Sequence, residues 1–430
     1  MKVLMFGWEF PPHISGGLGT ACYGLTKGLA EIEDMEVTFV VPKAFGDEDQ
    51  TTMHLIGANT VAVSKKDFQF AEGNKTIEYL EVDSQIIPYV GEEEFWKLKS
   101  EKYTPQTKFV ETDENAKINF TGTYGPGLMQ EIRDYALVAQ IIAAENKYDV
   151  IHAHDWLAYP AGIAAKNATG LPLVVHVHAT DFDRSGGNVN PNVYAIEREG
   201  MEVADKIITV SNLTRNVVIE KYGIPPEKVV TVYNAVEPVQ EEQEELPPKS
   251  INEKVVTFLG RITMQKGPEY FIEAANLVLK KMQNVRFVMA GSGDLMHAMV
   301  TRIADLKIAD RFHFTGFLKG NDVQNLFNMT DVFVMPSVSE PFGIVPLEAM
   351  QLKVPVIISN QSGVAEVLDH AIKIDFWDTH AMADAIHGVL NYSSLAEHFK
   401  TEGKDEVAGL KWTDSANNVR KVYVEALTQN

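Results

Sequence analysis

The feature that most limits the fold of this 430-residue chain is an alternation, met twice, of short apolar runs with helix-length amphipathic segments. In the first series, Lys2 to Gly7, Val37 to Val41, Val150 to His154, Leu173 to Val177 and Lys206 to Val210 have the length and composition of buried strands. Gly127 to Glu145, Trp156 to Ala168 and Ser211 to Tyr222 lie between the later runs with helical periodicity. Strand and helix in turn predict a parallel sheet covered on both faces. The pattern stops at an acidic, proline-bearing stretch from Glu237 to Pro248, which reads as a solvated linker. It resumes with strands at Val255 to Leu259, Val285 to Ala290, Phe312 to Thr315, Val332 to Met335 and Val354 to Ile358. The helices expected between them are Pro268 to Lys281, Met296 to Leu306, Asp322 to Met329 and Pro346 to Leu352.

The expected fold is therefore α/β, with two doubly wound, Rossmann-like domains. Residues 1–237 form the first, 238–252 the linker, 253–408 the second, and 409–430 a terminal helix. Residues 42–123, with Phe95, Trp96, Tyr103 and Phe109, exceed a normal crossover and are expected to be an elaboration on the first domain. Ligands of such sheets bind beyond the carboxyl ends of the strands, which places a site in the cleft between the domains. A net charge of −21 argues against a nucleic-acid partner. No apolar run reaches membrane-spanning length, and the chain opens on a strand-like segment, so a soluble cytoplasmic protein is expected. The single cysteine, Cys22, falls in a helical apolar stretch and reads as a small core residue.

Chemistry concentrates in Ser339-Glu340-Pro341-Phe342-Gly343-Ile344-Val345-Pro346-Leu347-Glu348, where two carboxylates stand eight positions apart. Prolines at 341 and 346 forbid one continuous helix. Pro346 fits a first helical position, placing Glu348 in the first turn, where free N–H groups and the positive dipole end attract an anion. A diphosphate joined to a sugar and a ribose suits such a site; in the plainer reading Glu348 caps a helix and Glu340 is solvated. Gly16-Gly17 follow the first strand and let backbone approach a ligand, although neither a P-loop ending nor a Rossmann spacing accompanies them. Arg261 and Lys266 lie five apart on a loop after the first strand of the second domain and could clamp phosphate oxygens; the alternative is ordinary surface cations. His154 and His178 are expected near strand carboxyl edges, with His152 and His176 turned to the opposite face. Zinc is the competing idea for these histidines, disfavoured because no thiol or carboxylate with recognised spacing accompanies them.

In this order along the chain, the segments resemble the retaining GT-B glycosyltransferases that use nucleotide sugars, particularly the branch containing glycogen and starch synthases. Gly16-Gly17-Leu18, His154-Asp155-Trp156, His178, Arg261, Lys266 and the Glu340/Glu348 pair carry the resemblance. It implies that Glu348 holds the ribose hydroxyls and Glu340 the donor-sugar hydroxyls, while Gly343, Ile344 and Val345 bind the diphosphate through backbone N–H groups. It further implies that His178 contacts the donor sugar near the reacting carbon, that Asp155 and Trp156 are structural, and that residues 409–430 return to an acceptor-side first domain. Ile14 stands where the ADP-glucose enzymes usually carry Lys, Phe342 where they favour Cys, and Asn234-Ala235 where Asn-Gly is common. The implied activity is retaining transfer of a glycosyl group, glucose foremost, from a UDP- or ADP-sugar to a glucan or other glycan, glycogen synthesis included, with no metal or cofactor. A nucleotide-sugar epimerase of the same fold and a non-catalytic glycan-binding protein are the alternatives.

Overall fold

The computed structural model describes residues 1–14, 16–63, 109–110, 116–125, 127–238 and 251–429. Phe95, Trp96, Tyr103, the side chain of Phe109, and residues 239–250 of the expected linker lie outside the described residues. The chain begins with β1 (Lys2–Phe6), α1 (Gly17–Ala30), β2 (Glu36–Val41) and β3 (His54–Gly57). Three short strands, β4 (Ala62–Val63), β5 (Phe109–Val110) and β6 (Ala116–Ile118), form a small antiparallel sheet in the expected elaboration. Then come α2 (Leu128–Glu145), β7 (Val150–His154), α3 (Asp155–Thr169), β8 (Leu173–Val177), α4 (Asp181–Ser185), α5 (Pro191–Val203), β9 (Lys206–Thr209), α6 (Asn212–Tyr222) and β10 (Val229–Thr231). The seven long-sheet strands run in the order β10-β9-β8-β7-β1-β2-β3, all parallel. Every residue of β7, β8 and β9 is buried, because helices cover both faces.

The second sheet gathers β11 (Lys254–Leu259), β12 (Val285–Ala290), β13 (Phe312–Gly316), β14 (Val332–Met335), β15 (Val356–Ser359) and β16 (Ile372–Ile374). Their parallel order is β13-β12-β11-β14-β15-β16. Helices α7 (Pro268–Leu279), α8 (Met296–Asp305), α9 (Asn321–Met329), α10 (Val345–Gln351), α11 (Thr379–Asn391) and α12 (Ser393–Val407) complete this unit. Sequence reading did not mark α5, β10, β16, α11 or α12. A signal for α5 was present in Asn190-Pro191: the Asn190 side chain accepts from the N–H groups of Asn192 and Val193, and Pro191 opens the helix.

The last helix, α13 (Trp412–Gln429), packs on α1 of the first unit. Two glycines one turn apart make room for it. A Cβ at Gly24 would stand 2.2 Å from the Trp412 indole, and one at Gly28 2.4 Å from the Trp412 carbonyl oxygen. Trp412, Ala416, Val419, Val422 and Tyr423 thereby enter the same apolar cluster as Val3, Met5, Phe39 and Cys22. Close to where the chain leaves and re-enters the first unit, the Ser415 hydroxyl donates to the Tyr233 carbonyl at 2.7 Å. Among the described residues no helix is long and apolar enough to cross a membrane.

Candidate active site

The carboxyl ends of β11 and β14 bring the clamp and the carboxylate pair together. After β11 the loop Gly260 to Gly267 folds against the end of β14: Val338 N–H donates to the Gln265 carbonyl at 2.9 Å. Gly267 has φ +64°, and a Cβ there would lie 2.1 Å from the Pro336 carbonyl oxygen, so only glycine permits this approach. The approach delivers Lys266 Nζ to the carboxylate of Glu340, with which it forms a hydrogen-bonded ion pair. Ser337 Oγ donates to the same carboxylate oxygen at 3.2 Å. Glu340 is buried, so its charge needs these partners. Arg261 stands on the same loop, Nη2 3.2 Å from Gln265 Oε1, with Asp294 in its field. These cations are therefore built into the strand ends rather than scattered on the surface.

Gly343 turns the chain into α10 with φ +99°, and a Cβ there would crowd Glu340 Cγ at 3.1 Å and Met335 Cε at 3.2 Å. The helix starts at Val345, one residue earlier than expected, so Pro346 is its second residue and Glu348 remains in the first turn. Leu347 and Glu348 N–H groups bond back to the Ile344 carbonyl, and Pro346 has no N–H. The N–H groups of Gly343, Ile344 and Val345 find no acceptor among the described residues. No side chain among the described residues pairs with Glu348 either, and burial pushes its carboxyl up to about 7. Unspent donors beside a half-buried carboxyl could together hold an anion carrying hydroxyls.

The facing wall comes from the end of β8. His178 is partly exposed there, its backbone N–H held by Asp155 Oδ1 at 2.6 Å and its Nε2 3.0 Å from His154 Nδ1. Asp155 adopts φ +57° at the start of α3, a conformation Asp tolerates better than most residues, and also accepts from Ala179 N–H at 3.3 Å. Burial raises the Asp155 carboxyl to about 6 and depresses the His178 imidazole to about 3, so His178 is neutral near pH 7. Trp156 is buried in the first-domain core. The expectation that His152 and His176 face away from His154 and His178 is wrong. Residues two apart on a strand share a face, and the four rings stack in one cluster with neighbouring centroids 4.2–5.4 Å apart.

The two walls touch through residues that sequence reading missed. Ser339 Oγ donates to Asp183 Oδ1 at 2.5 Å, while Asp183 Oδ2 accepts from the Thr180 N–H and hydroxyl, both at 2.8 Å. The Thr180-x-x-Asp183 spacing is that of a capping box and was visible in the sequence; the partner across the cleft was not. Ile344 packs against apolar clusters of both units. Behind the cleft, Glu366 receives the N–H groups of Asn212 and Leu213 at 2.9 and 2.7 Å and the Tyr233 hydroxyl at 3.0 Å, joining the second unit to the start of α6. Among the described residues no atom lies within 4 Å of where a Cβ on Gly16 or Gly17 would stand.

Residues 103–240 match the family described as Glycosyltransferase Family 4, and residues 239–406 the one described as Glycosyl transferases group 1. An uncharacterized glycosyltransferase of Methanocaldococcus jannaschii is 26% identical over 99% of this chain and 99% of its own length. A glycogen synthase of Mycobacterium tuberculosis is 22% identical over 99% of this chain and 95% of its own. Among solved structures, sucrose-phosphate synthase from Thermosynechococcus elongatus superposes with a TM-score of 0.70 at 16% identity, covering 100% of both chains. The Anabaena protein HepE in complex with UDP-glucose does so with a TM-score of 0.63 at 16% identity, covering 99% of this chain and 100% of its own. Two parallel sheets, both halves matched to glycosyltransferase families and this shared architecture lead to one assignment: the chain belongs to the GT-B glycosyltransferases.

Proposed function

We propose that the chain transfers a glucosyl group from UDP-glucose or ADP-glucose to a hydroxyl of a glucan or other glycan, with the anomeric configuration retained. The reading is carried by one arrangement: Lys266 paired with Glu340 beside a helix start whose three N–H groups have no acceptor among the described residues. In it the diphosphate lies on Gly343, Ile344 and Val345, its charge met by Lys266 and Arg261 and by the dipole of α10. Glu348 accepts the ribose hydroxyls and Glu340 those of the sugar, while neutral His178 hydrogen-bonds the sugar near its anomeric carbon. Gly16 and Gly17 leave room for the donor from the first domain.

The bond from the anomeric carbon to the diphosphate oxygen breaks as the bond to the acceptor oxygen forms on the same face. The acceptor proton passes to the departing diphosphate. Preorganised cations and N–H groups supply the charge stabilisation this step demands, and the reading assigns no metal or cofactor to it. The glycogen synthase relative favours a glucan acceptor, and the UDP-glucose complex of the Anabaena neighbour favours a nucleotide-glucose donor.

The test is incubation of purified protein with UDP- and ADP-sugars, with and without malto-oligosaccharides, following nucleotide release and product linkage. Acceptor-dependent release with an α-linked product is expected. Epimer formation from donor alone points to an isomerase, and glycan affinity without turnover of any donor points to a binding protein; either result overturns the proposal.

A further inference from the structure

Beneath His178, on the face of β7 and β8 covered by α1 and α13, lies a cluster that glycosyl transfer does not use. His154 and His176 stand opposite each other in the β7–β8 register, and His152 is two residues before His154. All three are buried, at 0%, 2% and 0% exposure for His154, His176 and His152. His152 Nδ1 is 2.7 Å from the Tyr423 hydroxyl on α13, and His154 Nδ1 is 3.0 Å from His178 Nε2. His152 Nε2, His154 Nε2 and both nitrogens of His176 are buried without a hydrogen-bond partner among the described residues. Buried polar atoms are ordinarily hydrogen-bonded, so unpaired nitrogens on three adjoining rings call for a ligand.

The three rings also stand close enough to share an ion. One nitrogen from each of the three rings lies within 4.8 Å of the other two. Ring centroids are separated by 4.2, 5.3 and 5.4 Å. With metal–nitrogen bonds of about 2.0–2.1 Å, imidazoles on a tetrahedral ion have centroids roughly 5 Å apart, close to both separations from His176 and wider than that between His152 and His154. The outer contacts follow the same logic. A ligating histidine usually bonds its second nitrogen to a neighbouring group, and Tyr423 and His178 take the Nδ1 atoms of His152 and His154 while both Nε2 atoms remain unused.

We propose that His152, His154 and His176 bind one divalent ion of the zinc type in the core of the first domain. Imidazole nitrogens suit zinc. Cys22 lies with His154 and His178 in an overlapping group, in the field of Asp155 and Glu9, so anionic and thiol groups adjoin the positive charge. The ion holds β7 and β8 together and, through Tyr423, secures α13. Sequence spacing hides such a site because its ligands come from two strands and its supporting hydroxyl from residue 423.

The test uses the full chain, produced with zinc and passed over a chelating resin, with metal content measured by mass spectrometry and coordination by X-ray absorption. About one zinc per chain with imidazole scattering near 2.0 Å is expected. His152→Phe and His176→Phe should each reduce the content at least tenfold. His13→Ala, which dismantles the group of exposed His13 and Asp47 with buried Glu48, should leave it unchanged. Should the core variants fail to fold, wild-type chain refolded with zinc should melt several degrees above chain refolded with EDTA. No retained metal together with identical melting in the two refolding arms, metal lost in His13→Ala, or metal kept in both core variants overturns the proposal.

Discussion

Replacing Glu348 by Gln should make the protein more stable and a poorer binder of its donor at the same time. Burial holds the Glu348 carboxyl at about 7 against an ordinary 4.5. A raised carboxyl keeps its proton longer in the folded chain than in the unfolded one, so its contribution falls as pH rises from 4.5 through 7. Above that window the deficit is complete, and the gap between 4.5 and 7 corresponds to roughly 3 kcal/mol at most. Glu348→Gln has no charge to desolvate; at pH 8 it should unfold several degrees above wild type, and at pH 5 the difference should nearly vanish. Donor binding runs the other way. Ribose hydroxyls donate to the ionised form, whose fraction grows about tenfold between pH 6 and pH 8 for a group titrating near 7. Calorimetric affinity for intact UDP-glucose, whose diphosphate does not titrate in this range, should rise about tenfold over the same interval in wild type and not in Glu348→Gln. A flat wild-type profile, or the same slope in the variant, refutes the assignment of Glu348 to the ribose.

Lys266→Ala removes the cation paired with Glu340 and should lower kcat by about 10² to 10³, measured by initial rates of nucleotide release, with the circular dichroism spectrum unchanged. Near wild-type turnover sinks its role at the diphosphate. Gly28→Ala should destabilise the first domain despite the helix preference of Ala, which is worth about 1 kcal/mol. Its methyl meets the Trp412 carbonyl oxygen at 2.4 Å and backbone cannot rotate away, so a net loss of about 1–2 kcal/mol is expected in urea titration.

What the sequence made legible was local and periodic. Apolar runs such as Val150 to His154 became strands because a run buried on both faces can do little else, and Pro346 and Gly343 marked the turn into α10 within one residue. The Lys266–Glu340 pair was legible only as two separate loops, since the contact depends on Gly267 lying against Pro336, a relation between strands far apart in the chain. Asp183 and Ser339 went unnoticed for the same reason: each looks like an ordinary cap or turn residue until the domains are placed face to face. The histidine faces were misjudged through the strand period itself. His152 and His154 are two apart and therefore neighbours, and their pairing with His176 then follows from the parallel register.

The return of α13 to the first domain has a mechanical consequence. The chain passes between the domains twice, and the hydrogen bond from Ser415 to Tyr233 ties the flanks of the two passages side by side. A single strand between two bodies permits bending and twisting in every direction; a two-ply hinge resists all but rotation about the line joining its plies. Were the cleft to open, a hinge of this kind would favour a narrow arc and return Ser339 to Asp183 on closing. Cutting either ply while leaving both domains folded should preserve each binding surface and lose their alignment.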